Sequence, residues 1–158
     1  ISSKKSRQLV HKWRSEEHAI LVGYNTVIID NPYLNVRNWG GNSPIRIIVD
    51  LENKLDNKLN VFNSESKTIK ITNDYIDPSN DIGFEIMSFL FKKNIQSVII
   101  EGGKNTLENF IKSNLWDEAR IFTSNKNLKN GLLAPLISGK IIFKKKIDSD
   151  NLKIMKPF

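Results

Sequence analysis

The stretch SVIIEGGKNTLENF, Ser97 to Phe110, places a carboxylate and two glycines between an apolar β-branched run and an amphipathic helical pattern. Each residue type there has a chemical use. A helix opening after Gly103 offers free N–H groups and a positive dipole end, which suits a diphosphate. Lys104, Asn105 and Thr106 add donors, and glycine lets backbone approach a ligand closely. Gly102-Gly103 equally suits a tight strand-to-helix turn and nothing more. The pattern is neither a GxGxxG fingerprint nor a P-loop. Glu101 needs a partner at the end of a buried strand, because an unpaired buried charge is costly. That partner is either a ligand hydroxyl or amide, or a neighbouring lysine.

A second constellation lies in HKWRSEEHAILVGYNTVIIDNPYLNVR, His11 to Arg37. Arg14 stands at a helix end and Gly23 ends a strand. Thr26 and Asp30 fall in a following turn or short helix, broken at Asn31-Pro32. Arg14 and Arg37 could grip a phosphate bidentately, or each could be a surface residue. Thr26 could cap the turn, and Asp30 could cap it or neutralise an arginine. His11 reads as an ordinary helix residue with no role.

The elements that must hold these groups follow from periodicity. Ser2 or Ser3 caps a helix running to about Ser15, with Leu9, Val10 and Trp13 on one stripe. Ala19–Gly23 is an apolar run fit for a strand buried on both faces. Further strands are expected at Ile45–Asp50, Lys67–Thr72, at 96–101 and at 118–124. Helices are expected at 81–94, with Ile82, Ile86, Phe89 and Leu90 as the apolar face, and at 104–114. Lys140–Ile147 and Asn151–Met155 close the chain as an antiparallel pair. The alternation predicts one α/β domain with parallel neighbours and right-handed crossovers, and the tail an antiparallel edge on that sheet.

Composition sets the outer limits. At 158 residues and 39% hydrophobic, the chain suits one domain with its own core. No apolar run reaches the roughly 20 residues of a membrane span, and no secretory leader pattern is present, since Ile1 precedes SSKKSRQ. With no cysteine, disulfides and cysteine-held zinc are excluded; no metal is expected, and a cytoplasmic location is compatible. A net charge of +7 favours anionic partners. The lysines are scattered, at Lys4-Lys5, Lys92-Lys93, Lys126, Lys129 and Lys144-Lys145-Lys146. Trp13 and Trp116 fall in apolar patterns, leaving Trp39 as an exposed aromatic. A nucleic-acid-binding module, which pairs a concentrated basic stripe with stacking aromatics, is therefore disfavoured.

Taken together, VHKWR…AILVGYNTVIIDNPYLNVR and VIIEGGKNTLENFI…LWDEARIF resemble the reductase domain of the bacterial riboflavin-biosynthesis deaminase/reductase. The motif-bearing parts run from Ile1 to about Asp50 and from Ser97 to about Phe122. The resemblance implies a dihydrofolate-reductase-like fold, with a central, mostly parallel sheet flanked by helices. It implies NADPH as cofactor and a phosphorylated pyrimidine, 5-amino-6-(5-phosphoribosylamino)uracil, as substrate, its ribosyl group being reduced to ribityl. Position by position, Arg14, Leu34, Arg37 and Glu101 match the family's substrate contacts. Thr26, Asp30 and the segment Gly103, Lys104, Asn105, Thr106, Leu107, Glu108 and Asn109 match its cofactor contacts. Glu101 and Asp30 are candidates to pass the proton needed on ring opening, as is bound water.

The chain departs from that pattern in places. The family's first strand, which would precede Ile1, is expected to be missing. Leu51 stands where the family often has a cofactor-touching serine, and the stretch between Thr72 and Gly83 is short. The zinc deaminase is expected upstream in a longer protein or on a separate chain. A homodimer is expected, since family members commonly pair. The rivals are a related pterin or pyrimidine reductase and a homologue that binds cofactor without catalysis.

Overall fold

The computed structural model describes residues 2–126 and 130–158, so Ile1 and Lys129, named above, lie outside the described residues. Four strands form a parallel sheet: β1 (Ala19–Gly23), β2 (Ile45–Val49), β3 (Thr68–Ile71) and β4 (Val98–Ile100), in the spatial order β3-β2-β1-β4. Helix α1 (Lys4–Glu16) precedes β1, α2 (Tyr24–Asp30) follows β1, α3 (Ile82–Lys92) joins β3 to β4, and α4 (Lys104–Lys112) follows β4. The last three strands are β5 (Ala119–Ser124), β6 (Lys140–Ile147) and β7 (Asp150–Lys156).

β1 is buried along its first four residues, as its unbroken apolar run requires of a strand covered on both faces. Ala19 and Leu21 point with Ile47 and Ile71 into a cluster closed by Ile86, Phe89 and Leu90 of α3 and Phe110 of α4. Ile20 and Val22 point the other way, with Ile48, into a cluster holding Val27 of α2, Leu34, Leu55 and Val61. Asp81 caps α3 through the Phe84 N–H, and its other oxygen accepts from the Ser113 hydroxyl at the end of α4. That tie sets α3 against α4.

Two expectations need correction. The antiparallel tail is not a hydrogen-bonded edge of the parallel sheet; it is a three-stranded sheet of its own, ordered β5-β7-β6. It joins the body through α1: Trp13 packs on Phe122 with ring centroids 5.6 Å apart, and the Arg120 guanidinium lies 4.7 Å from the Trp13 ring. Nor does the expected Leu9, Val10 and Trp13 stripe supply the buried face of α1. All three are half-buried, and the fully buried residues are Ser6 and His11. α1 buries polar groups because its neighbours supply polar partners. Asp150 Oδ2 accepts from the Ser3 N–H (2.7 Å) and the Ser6 hydroxyl (2.6 Å).

Candidate active site

In the parallel sheet, chain order runs outward from β1 to β3 and then returns to the opposite side of β1 with β4. Loops at the carboxyl ends diverge at such a reversal and leave a crevice. A cleft of about 700 Å³ opens there, walled by the ends of β1, β2 and β4 and by the first turns of α2 and α4. Gly23, Thr26, Asp30, Glu101 and Gly103 to Thr106 line it, with Asp50, Leu51 and Lys54 on the β2 side.

The glycines are there for space and for angle. A Cβ on Gly102 would stand 2.5 Å from Val22 Cα and 2.7 Å from Val22 Cβ, so β4 can turn only by pressing bare backbone onto β1. A Cβ on Gly23 would stand 2.5 Å from Thr106 Oγ1. Gly103 precedes α4 with a φ of +40°, which side chains other than glycine's rarely permit. No side chain caps α4, so its leading N–H groups face the cleft without an internal acceptor. The tight turn and the open helix start are therefore one arrangement. Leu107, Glu108 and Asn109 lie outside the cleft lining. Glu108 reaches back to Lys104 (3.7 Å), and the Asn109 carbonyl accepts from the Ser113 N–H (3.2 Å).

Glu101 follows the last residue of β4, its N–H bonded to the Leu21 carbonyl. Its partner within the protein is an arginine rather than a lysine: Arg14 Nε donates to Oε1 (2.8 Å) and Arg14 Nη2 to Oε2 (2.6 Å). This two-point fork is the strong form of an ion pair, and it consumes the edge of Arg14 that would have gripped a phosphate. Arg14 Nη1 donates to the Asn35 carbonyl (3.2 Å). Arg37 is brought near the same residue, with Nη1 on Asn35 Oδ1 at 2.9 Å. The side chain of Leu34 is buried in the apolar cluster, and its φ of +52° leaves only backbone to face a ligand.

His11, given no role above, belongs to this corner. It is buried, and its Nδ1 lies 3.1 Å from the Asn35 carbonyl; a carbonyl only accepts, so Nδ1 carries the hydrogen. Burial, with the charges of Arg14 and Arg37, pushes its pKa below the ordinary 6.5. Only the spacing from His11 to Arg14, roughly one helical turn, hinted at this in the sequence.

The family model of the RibD C-terminal domain matches residues 1–128. The chain belongs to that family. RibD of Aquifex aeolicus is 34% identical over 148 residues, covering 84% of this chain and 42% of that protein. A 5-amino-6-(5-phosphoribosylamino)uracil reductase from Buchnera aphidicola is 32% identical over 157 residues, covering 81% of this chain and 75% of that protein. The crystal structure of a Thermotoga maritima deaminase/reductase superposes with a TM-score of 0.85 at 29% identity, over 99% of this chain and 50% of that one. This RibD C-terminal domain thus spans about half the length of the bifunctional relatives it matches. Its fold is that of the RibD reductase structures it matches, as the resemblance implied.

Proposed function

We propose that this chain reduces the ribosyl group of 5-amino-6-(5-phosphoribosylamino)uracil to ribityl, with NADPH as hydride donor, in riboflavin biosynthesis. The observation that carries the reading is the cleft itself. An uncapped helix start and a glycine cradle form one wall, and the Arg14–Glu101 pair stands at its end. In this reading Gly103 to Thr106 hold the cofactor's diphosphate, with Thr26 and Asp30 on the facing α2 wall. The cofactor supplies hydride; the protein's task is to align the two carbons and keep water out.

Arg37, exposed and bound to a neutral amide, takes the substrate's phosphate. Glu101, oriented by Arg14, meets the sugar hydroxyls or the aminouracil, and Leu34 contributes backbone. The sugar-ring oxygen gains a proton as the ring opens. Glu101, Asp30 or bound water supplies that proton. A cytoplasmic setting, a homodimer and a deaminase partner, fused or separate, belong to the same proposal.

Titration of NADPH fluorescence, followed by loss of nicotinamide absorbance on adding the aminouracil, tests the reading. Saturable binding and turnover are expected. Binding without turnover would identify a non-catalytic homologue, and equal turnover of a non-phosphorylated pyrimidine or pterin would shift the substrate assignment.

A further inference from the structure

Arg37 poses a problem of order. It is exposed, and a long flexible side chain in water loses much conformational freedom when fixed. Its recorded anchor is the Asn35 amide oxygen, 2.9 Å from Nη1. That amide is not free to turn, since Asn35 Nδ2 donates to Glu65 Oε2 (2.8 Å), which fixes the oxygen toward Arg37. Glu65 stands in turn 3.9 Å from the guanidinium of Arg46, a fully buried arginine of β2 whose Nη1 donates to the Val61 and Asn63 carbonyls. The Asn35 main chain is held independently, its carbonyl facing His11 and Arg14.

We infer that Asn35, hydrogen-bonded to Glu65, whose carboxylate lies within ion-pair range of the buried Arg46, is a positioning residue that presets the Arg37 guanidinium for an anionic substrate group. The choice of an amide matters. A carboxylate at that place would hold Arg37 equally well and cancel its charge, as Glu101 does for Arg14. An amide oxygen engages a single N–H and leaves the positive charge and the other donors for the incoming anion. The inference rests on the proposed role of Arg37 and adds what orders it.

The test compares Asn35→Ala, Arg37→Ala and the double variant, by equilibrium binding and by KM and kcat, with phosphorylated and dephosphorylated substrate. Asn35→Ala should raise Kd and KM for the phosphorylated form about 3- to 10-fold with kcat within 2-fold, and leave the dephosphorylated form unmoved. In the Arg37→Ala background it should add nothing. Glu65→Gln, which keeps the fold of the loop, should give a smaller shift of the same kind. Asn35→Asp should bind the phosphorylated form more weakly than Asn35→Ala. If Arg37→Ala weakens binding and Asn35→Ala does not, or if the two losses multiply, the inference is overturned while the substrate assignment stands. If Arg37→Ala itself changes nothing, both fall.

Discussion

Arg14 and Arg37 flank one residue, Asn35, yet the molecule treats them in opposite ways. Arg14 is 12% exposed and its fork is filled by a carboxylate. Arg37 lies in solvent, bound by one neutral oxygen. The first is a strut: its charge is spent on fixing Glu101 at the carboxyl end of β4. The second is a hand: its charge stays available. The residue type is the same, and in the proposed reading the partner alone separates a structural arginine from a recognising one.

The comparison breaks most readily at Arg14. Arg14→Ala strands the Glu101 carboxylate, and removing one partner of a buried pair costs roughly 3–5 kcal/mol. With Glu101 still 23% exposed, a loss of about 2–3 kcal/mol is expected in denaturant unfolding, together with loss of turnover. A stability change below about 0.5 kcal/mol would make Arg14 a recognition residue after all. Next in size, Arg37→Ala should weaken substrate binding about 10- to 100-fold, the worth of a charged hydrogen bond. Stability and NADPH affinity should stay near the parent's, and equal loss of substrate and cofactor binding would contradict the distinction. Arg→Lys at each position sharpens it further. Lysine keeps charge without the fork, so Arg37→Lys should cost only about 3-fold in substrate Kd, whereas Arg14→Lys should behave nearly as Arg14→Ala.

The smallest effect concerns pH. Folding lowers the His11 pKa from 6.5 because burial and two cations disfavour its charged form. The unfolded chain therefore binds the proton more readily, and stability falls as pH drops through about 6.5 toward the folded value. His11→Gln should flatten that part of the stability curve, measured by thermal melts between neutral and mildly acid pH. An unchanged slope would mean that His11 does not carry it.

Much of the parallel layer was legible because its information is local. Ala19–Gly23 coincides with β1, Ser3 caps α1 as one of the two serines expected to, and α4 opens directly after Gly103. The return of β4 to the far side of β1, and hence the cleft, follows from the α/β rule once order is known. What was hidden is every bond between distant segments. Arg14 meets Glu101 across 87 positions, and Ser6 meets Asp150 across 144. Periodicity cannot announce such pairs. Arg46 illustrates the cost: an arginine within an apolar strand, it lies wholly inside, its Nη1 donating to carbonyls of the segment after β2. The free-standing antiparallel sheet was missed for the same reason, since strand pairing is a tertiary choice.

The order β5-β7-β6 has a temporal side. The middle strand of that sheet, β7, is the last of the three in chain order, so neither β5 nor β6 has its ladder partner until β7 has been made. The Asp150 carboxylate that receives Ser3 and Ser6 arrives equally late. The first helix therefore gains this anchor only once β7 exists, and a contact that spans 144 positions is of the non-local kind that slows folding.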